Sequence, residues 1–227
     1  MIQLSPRLQM VAGLVRGNQV LTDIGTDHAY LPAYLLQIGK IPSAIAADVR
    51  QGPLNNARET VEKYGLEDKI TLVLSDGFSN LNPEDSKEYV LAGMGGNLME
   101  DLLTATPWLQ AEGIHLVLQP QSHQEDLRNY LYRNGFSILQ EQLCKEGSRL
   151  YLAMDAEYTG TPSDASPLAC YLGTLADSNH PLKTEYFQKV LDRLGKRLNG
   201  LLTMDHTEEE CNFLLSLMNA IKERTGA

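Results

Sequence analysis

Apolar, β-prone runs at 20–24, 44–47, 70–74, 89–92 and 115–118 recur along this chain, with amphipathic helical stretches between most of them. Strands separated by helices cannot pair through tight hairpins, so this alternation predicts βαβ units and a mostly parallel sheet covered by helices. Two later runs, 136–143 and 149–156, flank CKEGS, which is short enough for a hairpin and predicts an antiparallel edge. After residue 156 the stretch YTGTPSDASP reads as a linker, dividing the chain near 160 into a sheet domain, 1–160, and a helical domain, 161–227. In the second part Phe187, Leu191, Leu194, Leu198 and Leu201 follow a 4-3-4-3 spacing, and Cys211, Leu214, Met218 and Ile221 a 3-4-3 spacing. This predicts two helices paired as an antiparallel coiled coil around a turn at 205–207, with Thr207 and Glu210 as a capping box.

Composition excludes several classes. No apolar run approaches the roughly 18 residues that span a bilayer, and the N-terminal MIQLSPRLQMVAGLV is broken by Arg7 and Gln9, so a cytoplasmic protein without membrane association is expected. Cys144, Cys170 and Cys211 fit neither a disulfide framework nor a zinc pattern, and no metal is expected. A net charge of -10 argues against a broad, sequence-independent grip on nucleic acid but not against a local basic patch.

In a doubly wound sheet, ligands sit beyond the carboxyl ends of the strands. The predicted tips are Asp23-Ile24-Gly25, Asp48, Ser75-Asp76-Gly77-Phe78, Gly93-Met94-Gly95-Gly96 and Gln119-Pro120-Gln121. Gly25 would let the backbone turn tightly beside a ligand. Asp48, 23 residues later, is placed to accept from both ribose hydroxyls of a nucleoside, unless it merely caps the next helix. Asp76 suits an exocyclic adenine amine, with Phe78 against the ring. The first loop, DIGTDHAYLP, lacks the second and third glycines that hold a pyrophosphate, and Asp27 would repel one. An acidic loop favours a nucleoside carrying a sulfonium and an ammonium group, which points to S-adenosylmethionine and away from NAD. Asp23 and His28 complete the expected cofactor set.

DIGTDHAYLP, the Asp48 tip, SDGF at 75–78, AGMGG at 92–96, QP at 119–120, LRNYLYRNGF at 127–136 and the C-terminal helix pair together resemble the bacterial tRNA (adenine-22-N1)-methyltransferases across essentially the whole chain. Asp48 stands where that family often has Glu, and Gln121 where it often has Asn. The resemblance implies a Rossmann-like class I methyltransferase fold and methyl transfer to N1 of an adenine in the D-arm region of tRNA. Asp27 is then the candidate catalytic carboxylate, unless it caps the first helix after the loop. Met94, Gly95, Gly96, Arg7 and Tyr30 are the candidates for binding the substrate. Arg7, Arg16, Arg50, Lys183, Lys189, Arg193, Lys196 and Arg197 are the available basic set for tRNA. A monomer or weak dimer is expected. Two alternatives stand beside this reading: a methyltransferase for a small metabolite or protein, and a non-catalytic S-adenosylmethionine-binding or dimerisation module.

Overall fold

The computed structural model of the protein describes residues 1–203 and 208–227; the expected turn at 205–207 and the Thr207 capping box fall outside the described residues. Seven strands form one sheet in the order β3-β2-β1-β4-β5-β7-β6: β1 (Leu21–Ile24), β2 (Ala44–Asp48), β3 (Ile70–Leu74), β4 (Glu88–Met94), β5 (His115–Pro120), β6 (Phe136–Glu146) and β7 (Arg149–Tyr158). The first five are parallel, and β7 joins β5 antiparallel with β6 outside it. This is the mostly parallel sheet with an antiparallel edge that the apolar runs predict. β1, with all four residues buried, lies between β2 and β4. The chain therefore turns outward in opposite directions from β1 and β4, and a crevice opens between their carboxyl ends.

Helices α1 (Pro6–Leu14), α2 (Tyr30–Gln37), α3 (Gln51–Tyr64), α4 (Gly96–Thr104) and α5 (Gln124–Arg133) cover the sheet. Ser5 caps α1, its hydroxyl accepting from Leu8 N. α1 packs across β6 and β7, which carries Arg7 to the carboxyl end of the sheet.

Beyond the sheet lie α6 (Pro167–Leu172), α7 (Lys183–Leu202) and α8 (Glu208–Thr225). The contacts Arg197–Glu210 and Gly195–Met218 set α7 and α8 antiparallel. The apolar core runs without a break across residue 160: Leu175, Phe187, Leu191, Leu194 and Leu214 belong to the same buried cluster as Leu116, Leu127 and Met154 of the sheet layer. The helix pair thus shares one apolar core with the layer formed by the sheet and its helices. No helix among the described residues is long and apolar enough to cross a membrane.

Away from the crevice, near the amino ends of β4 and β5, buried His115 bridges Glu88 (2.9 Å) and Asp155 (2.7 Å). Burial alone would neutralise this imidazole, but the hydrogen bonds its ring N–H groups donate to Asp155 and Glu88 reverse that and hold its pKa above the ordinary value. Arg16 belongs here, paired with Glu157 at 2.8 Å, and is therefore remote from the strand tips proposed to bind ligand.

Candidate active site

Two adjoining clefts occupy the crevice and share Gly25 and Ala92. One, of about 280 Å³, is lined by Arg7, Leu8, Asp23, Thr26, Asp27, His28, Tyr30 and Leu31. The other, of about 350 Å³, is lined by Asp48, Val49, Asp76, Gly77, Gly93, Met94, Leu98 and Leu102, among others. Gly25 is the hinge between them: its φ of +76° is in the left-handed region, and a Cβ there would lie 2.3 Å from Met94 Cε. Any side chain at this position would push Met94 out of its place.

The two loop carboxylates sit in different surroundings. Asp23, on β1, is buried. Burial, reinforced by the charge of Asp48 and opposed by Thr26 and Arg7, pushes its carboxyl up to about 6. Thr26 Oγ1 is itself buried and meets no partner at full hydrogen-bond geometry among the described residues, which leaves it available to a ligand. Asp27 is open to solvent, 70% exposed, with His28 Nε2 3.5 Å away. It does not cap α2: the cap position is Ala29, in a left-handed conformation and without a side-chain hydrogen bond. Its position is therefore not explained by helix capping.

Asp48 is buried at the tip of β2, and its Oδ1 accepts from Arg50 N at 2.8 Å. That bond braces the turn before α3 and leaves the second oxygen for a ligand. Arg50, 4.0 Å from the same carboxylate, makes α3's cap position without a side-chain bond. Arg7 donates from Nη1 to Gln119 Oε1 at 2.9 Å, and its guanidinium stands 5.9 Å over the Tyr151 ring. His28 and Tyr30 stack face to face, 5.0 Å between centroids and 6° between planes, at the mouth of the smaller cleft.

Three expected site residues lie elsewhere. Phe78 does not face the crevice: it is buried, with Tyr89 and Trp108 edge-on at 5.6 and 5.7 Å, because the left-handed Gly77 turns the chain back toward the core. The apolar surface for a flat ring comes instead from Val49 and Leu98, 57% and 49% exposed, together with Leu102. Val49 follows the Asp48 tip directly, a signal the sequence did carry. Gly95 and Gly96 line neither cleft. Gly95 caps α4 beside Ser122, and a Cβ on Gly96 would meet the carbonyl oxygens of His123 and Ser122 at 2.5 and 2.6 Å, so Gly96 serves close packing of α4 on the turn after β5.

The donor set suits a cationic nucleoside. Carboxylates at Asp23, Asp48 and Asp76 line a crevice whose walls include the apolar side chains of Leu31, Val49, Leu98 and Leu102. A methyltransferase-domain family matches residues 4–154. The tRNA (adenine(22)-N(1))-methyltransferase of Bacillus subtilis is 35% identical over 156 residues, which is 69% of this chain and 66% of that protein. The crystal structure of a putative tRNA (m1A22) methyltransferase from Streptococcus pneumoniae is similar with a TM-score of 0.86 at 32% identity, covering 98% of this chain and 100% of that one. The same Streptococcus pneumoniae protein in complex with S-adenosyl-L-methionine gives a TM-score of 0.83 at 32% identity, covering 98% and 100%.

Proposed function

This chain belongs to the methyltransferase-domain family, among the tRNA (adenine-22-N1)-methyltransferases, and from that premise we propose that it transfers a methyl group from S-adenosylmethionine to N1 of adenine 22 in the D-arm region of tRNA. The observation that carries this reading is the pair of clefts meeting at Gly25: one suited to a nucleoside, the other floored by a solvent-open carboxylate and rimmed by stacked rings. The enzyme works in the cytoplasm as a monomer or weak dimer, with residues 161–227 as a helical arm beside the substrate.

The cofactor supplies an electrophilic methyl group on a cationic sulfur. Asp48 and Asp76 would hold its ribose and adenine, Val49, Leu98 and Leu102 would cover the ring, and Asp23 with Thr26 would meet its charged end. Adenine N1 carries its own lone pair, so no base is needed before attack. The protein's tasks are to align the nitrogen and to manage the positive charge that arrives on the base. N1 lies on the Watson–Crick edge, so a paired adenine must leave its stack to enter. Tyr30, on His28, offers it a face to rest on, and Met94 and Arg7 border its path. Asp27 stabilises the charge formed on the ring.

Labelled methyl transfer to an unmodified tRNA transcript, with the product mapped as 1-methyladenine, tests the reading. Label at adenine 22 supports it. A protein that binds the cofactor yet labels no tRNA would move a small metabolite or protein substrate to the front, a rival favoured by the net charge of -10.

Cofactor binding should also depend on pH through Asp23. A cation binds the ionised carboxylate, so affinity is full well above about 6 and is lost as pH falls through that value. Between pH 7.5 and 5 the dissociation constant should rise roughly tenfold. The sign for the empty protein is opposite: with a raised pKa, the buried neutral acid favours the folded state as pH falls. Calorimetric titration should show the loss in wild type and a weaker, flat profile in Asp23→Asn; a flat wild-type profile would remove Asp23 from the cation site.

A further inference from the structure

A second polar groove, of about 400 Å³, opens at the same end of the sheet. It is lined by Gln121 and Gln124 after β5, Arg149 and Tyr151 at the start of β7, and Tyr186 and Lys189 of α7, among others. Because β7 runs antiparallel to β5, its first residues stand beside the carboxyl end of β5 and next to the clefts. Continuous contacts join the two places. Gln119 Oε1 accepts from Arg7 Nη1 at 2.9 Å and from Gln121 Nε2 at 3.4 Å, and Tyr151 lies under the Arg7 guanidinium.

With a net charge of -10, this chain can hold a phosphate only where cations locally outnumber carboxylates. Most of the basic set is occupied elsewhere. Arg193 pairs with Glu125, Arg197 with Glu210, and Arg16 with Glu157, while Lys183 Nζ donates to the carbonyls of Ala176 and Ser178. At the groove the balance differs. Glu185 faces two ammonium groups, Lys145 at 3.0 Å and Lys189 at 3.4 Å. Arg149 is exposed and makes no ion pair or side-chain hydrogen bond among the described residues. Its cross-strand neighbour Glu146 accepts from Arg7 N at 3.2 Å.

We propose that this groove holds the ribose-phosphate backbone of the substrate RNA next to the target adenine, with Arg149 and Lys189 against a phosphate and the amides of Gln121 and Gln124 against ribose hydroxyls. This rests on the tRNA reading above. A volume of about 400 Å³ accommodates a nucleotide, and uncharged amides beside two cations suit a ligand that is anionic at phosphorus and neutral at the 2′-hydroxyl. The backbone would then run from Lys189 past Arg149 to Arg7, delivering one base to the cleft.

Binding of an unmodified tRNA transcript to the full chain should be followed across a salt series for wild type, for Arg149→Gln/Lys189→Gln and for Arg58→Gln/Lys63→Gln, which removes the same charge from α3. The groove variant should lose ten- to a hundredfold in affinity, with the log-log salt slope shallower by about 1 to 2, while its S-adenosylmethionine affinity and the tRNA affinity of the α3 variant stay near wild type. If wild type binds and methylates tRNA and the groove variant matches it, the groove assignment alone is overturned. Equal losses in both variants would also overturn it, because net charge rather than place would be acting. If wild type neither binds nor methylates tRNA, the functional reading fails and this inference falls with it.

Discussion

Arg128→Leu is expected to destabilise the protein by about 3–5 kcal/mol, enough to leave a marginally stable domain partly unfolded at physiological temperature. Arg128, on α5, is 1% exposed. Its Nε donates to Glu141 Oε1 of β6 at 2.8 Å, Nη1 to Cys170 O of α6 at 2.8 Å, and Nη2 to the Tyr186 hydroxyl of α7 at 3.2 Å. Burial pulls the guanidinium toward neutrality, and Glu141 and Tyr186 more than reverse this, so the charge persists in the core. On the other side, Glu141 Oε2 accepts from Thr174 N at 2.7 Å. Removing the cation strands a buried carboxylate that is left with one strong donor and no opposite charge. Gly173 shows how little room remains: at φ +55°, a Cβ would come within 2.0 Å of Glu141 Oε2 and 2.6 Å of Arg128 Nε. Urea unfolding should show a lower midpoint with an unchanged slope. The double variant Arg128→Leu/Glu141→Leu should recover part of the loss, since two apolar groups leave no orphan charge. A single variant costing less than about 1 kcal/mol, the scale of an exposed ion pair, would show that the network does not clamp the C-terminal helices to the sheet.

That network also marks the limit of what could be read along the chain. The five parallel strands are legible because each is built on an apolar run of ordinary strand length between turn residues, and their tips follow from where the runs stop. Asp23, Gly25, Asp27, Asp48 and Asp76 reach the crevice for that reason. Phe78 did not follow, because one left-handed residue before it decides which way the ring points, and an aromatic ring gains more from Tyr89 and Trp108 than from an open cleft. Gly96 looked like ligand-facing backbone but is required by a neighbour 26 residues away, Ser122. The Arg128–Glu141 bridge and the groove at Arg149 and Lys189 join segments whose proximity is set by sheet order and helix packing, which no local pattern encodes. Arg128 sits inside LRNYLYRNGF, where nothing in the sequence separates a buried clamp from a surface cation.

Asp27→Ala should lower the rate of the methyl-transfer step by roughly a hundredfold or more, the scale on which removal of a positioned charge or acid-base group acts, with cofactor affinity near wild type. The argument begins with what the side chain is not doing. It neither caps α2, where Ala29 holds that position, nor lies buried in a structural pair; its one ion-pair partner among the described residues is His28 Nε2 at 3.5 Å, and 70% of it is exposed. In water such a carboxylate interacts weakly with any charge. Entry of a base against Tyr30 and the wall formed by Leu8 and Leu31 would strip water from the smaller cleft, and the same charge then acts through a lower dielectric on the cation forming at the ring. Asp23, only four residues away, is buried and is the carboxylate proposed to meet the cofactor's charged end, so its loss should appear in cofactor binding, whereas loss of Asp27 should appear in the chemical step. Single-turnover transfer under saturating tRNA and cofactor separates these. Asp27→Asn keeps the shape and removes the charge; if it retains more than about a tenth of the wild-type rate, less than about 1.4 kcal/mol of barrier depends on the charge and Asp27 is a lining residue only. A deficit shared by Asn and Ala and relieved by Asp27→Glu assigns the effect to the carboxylate's charge rather than to its packing.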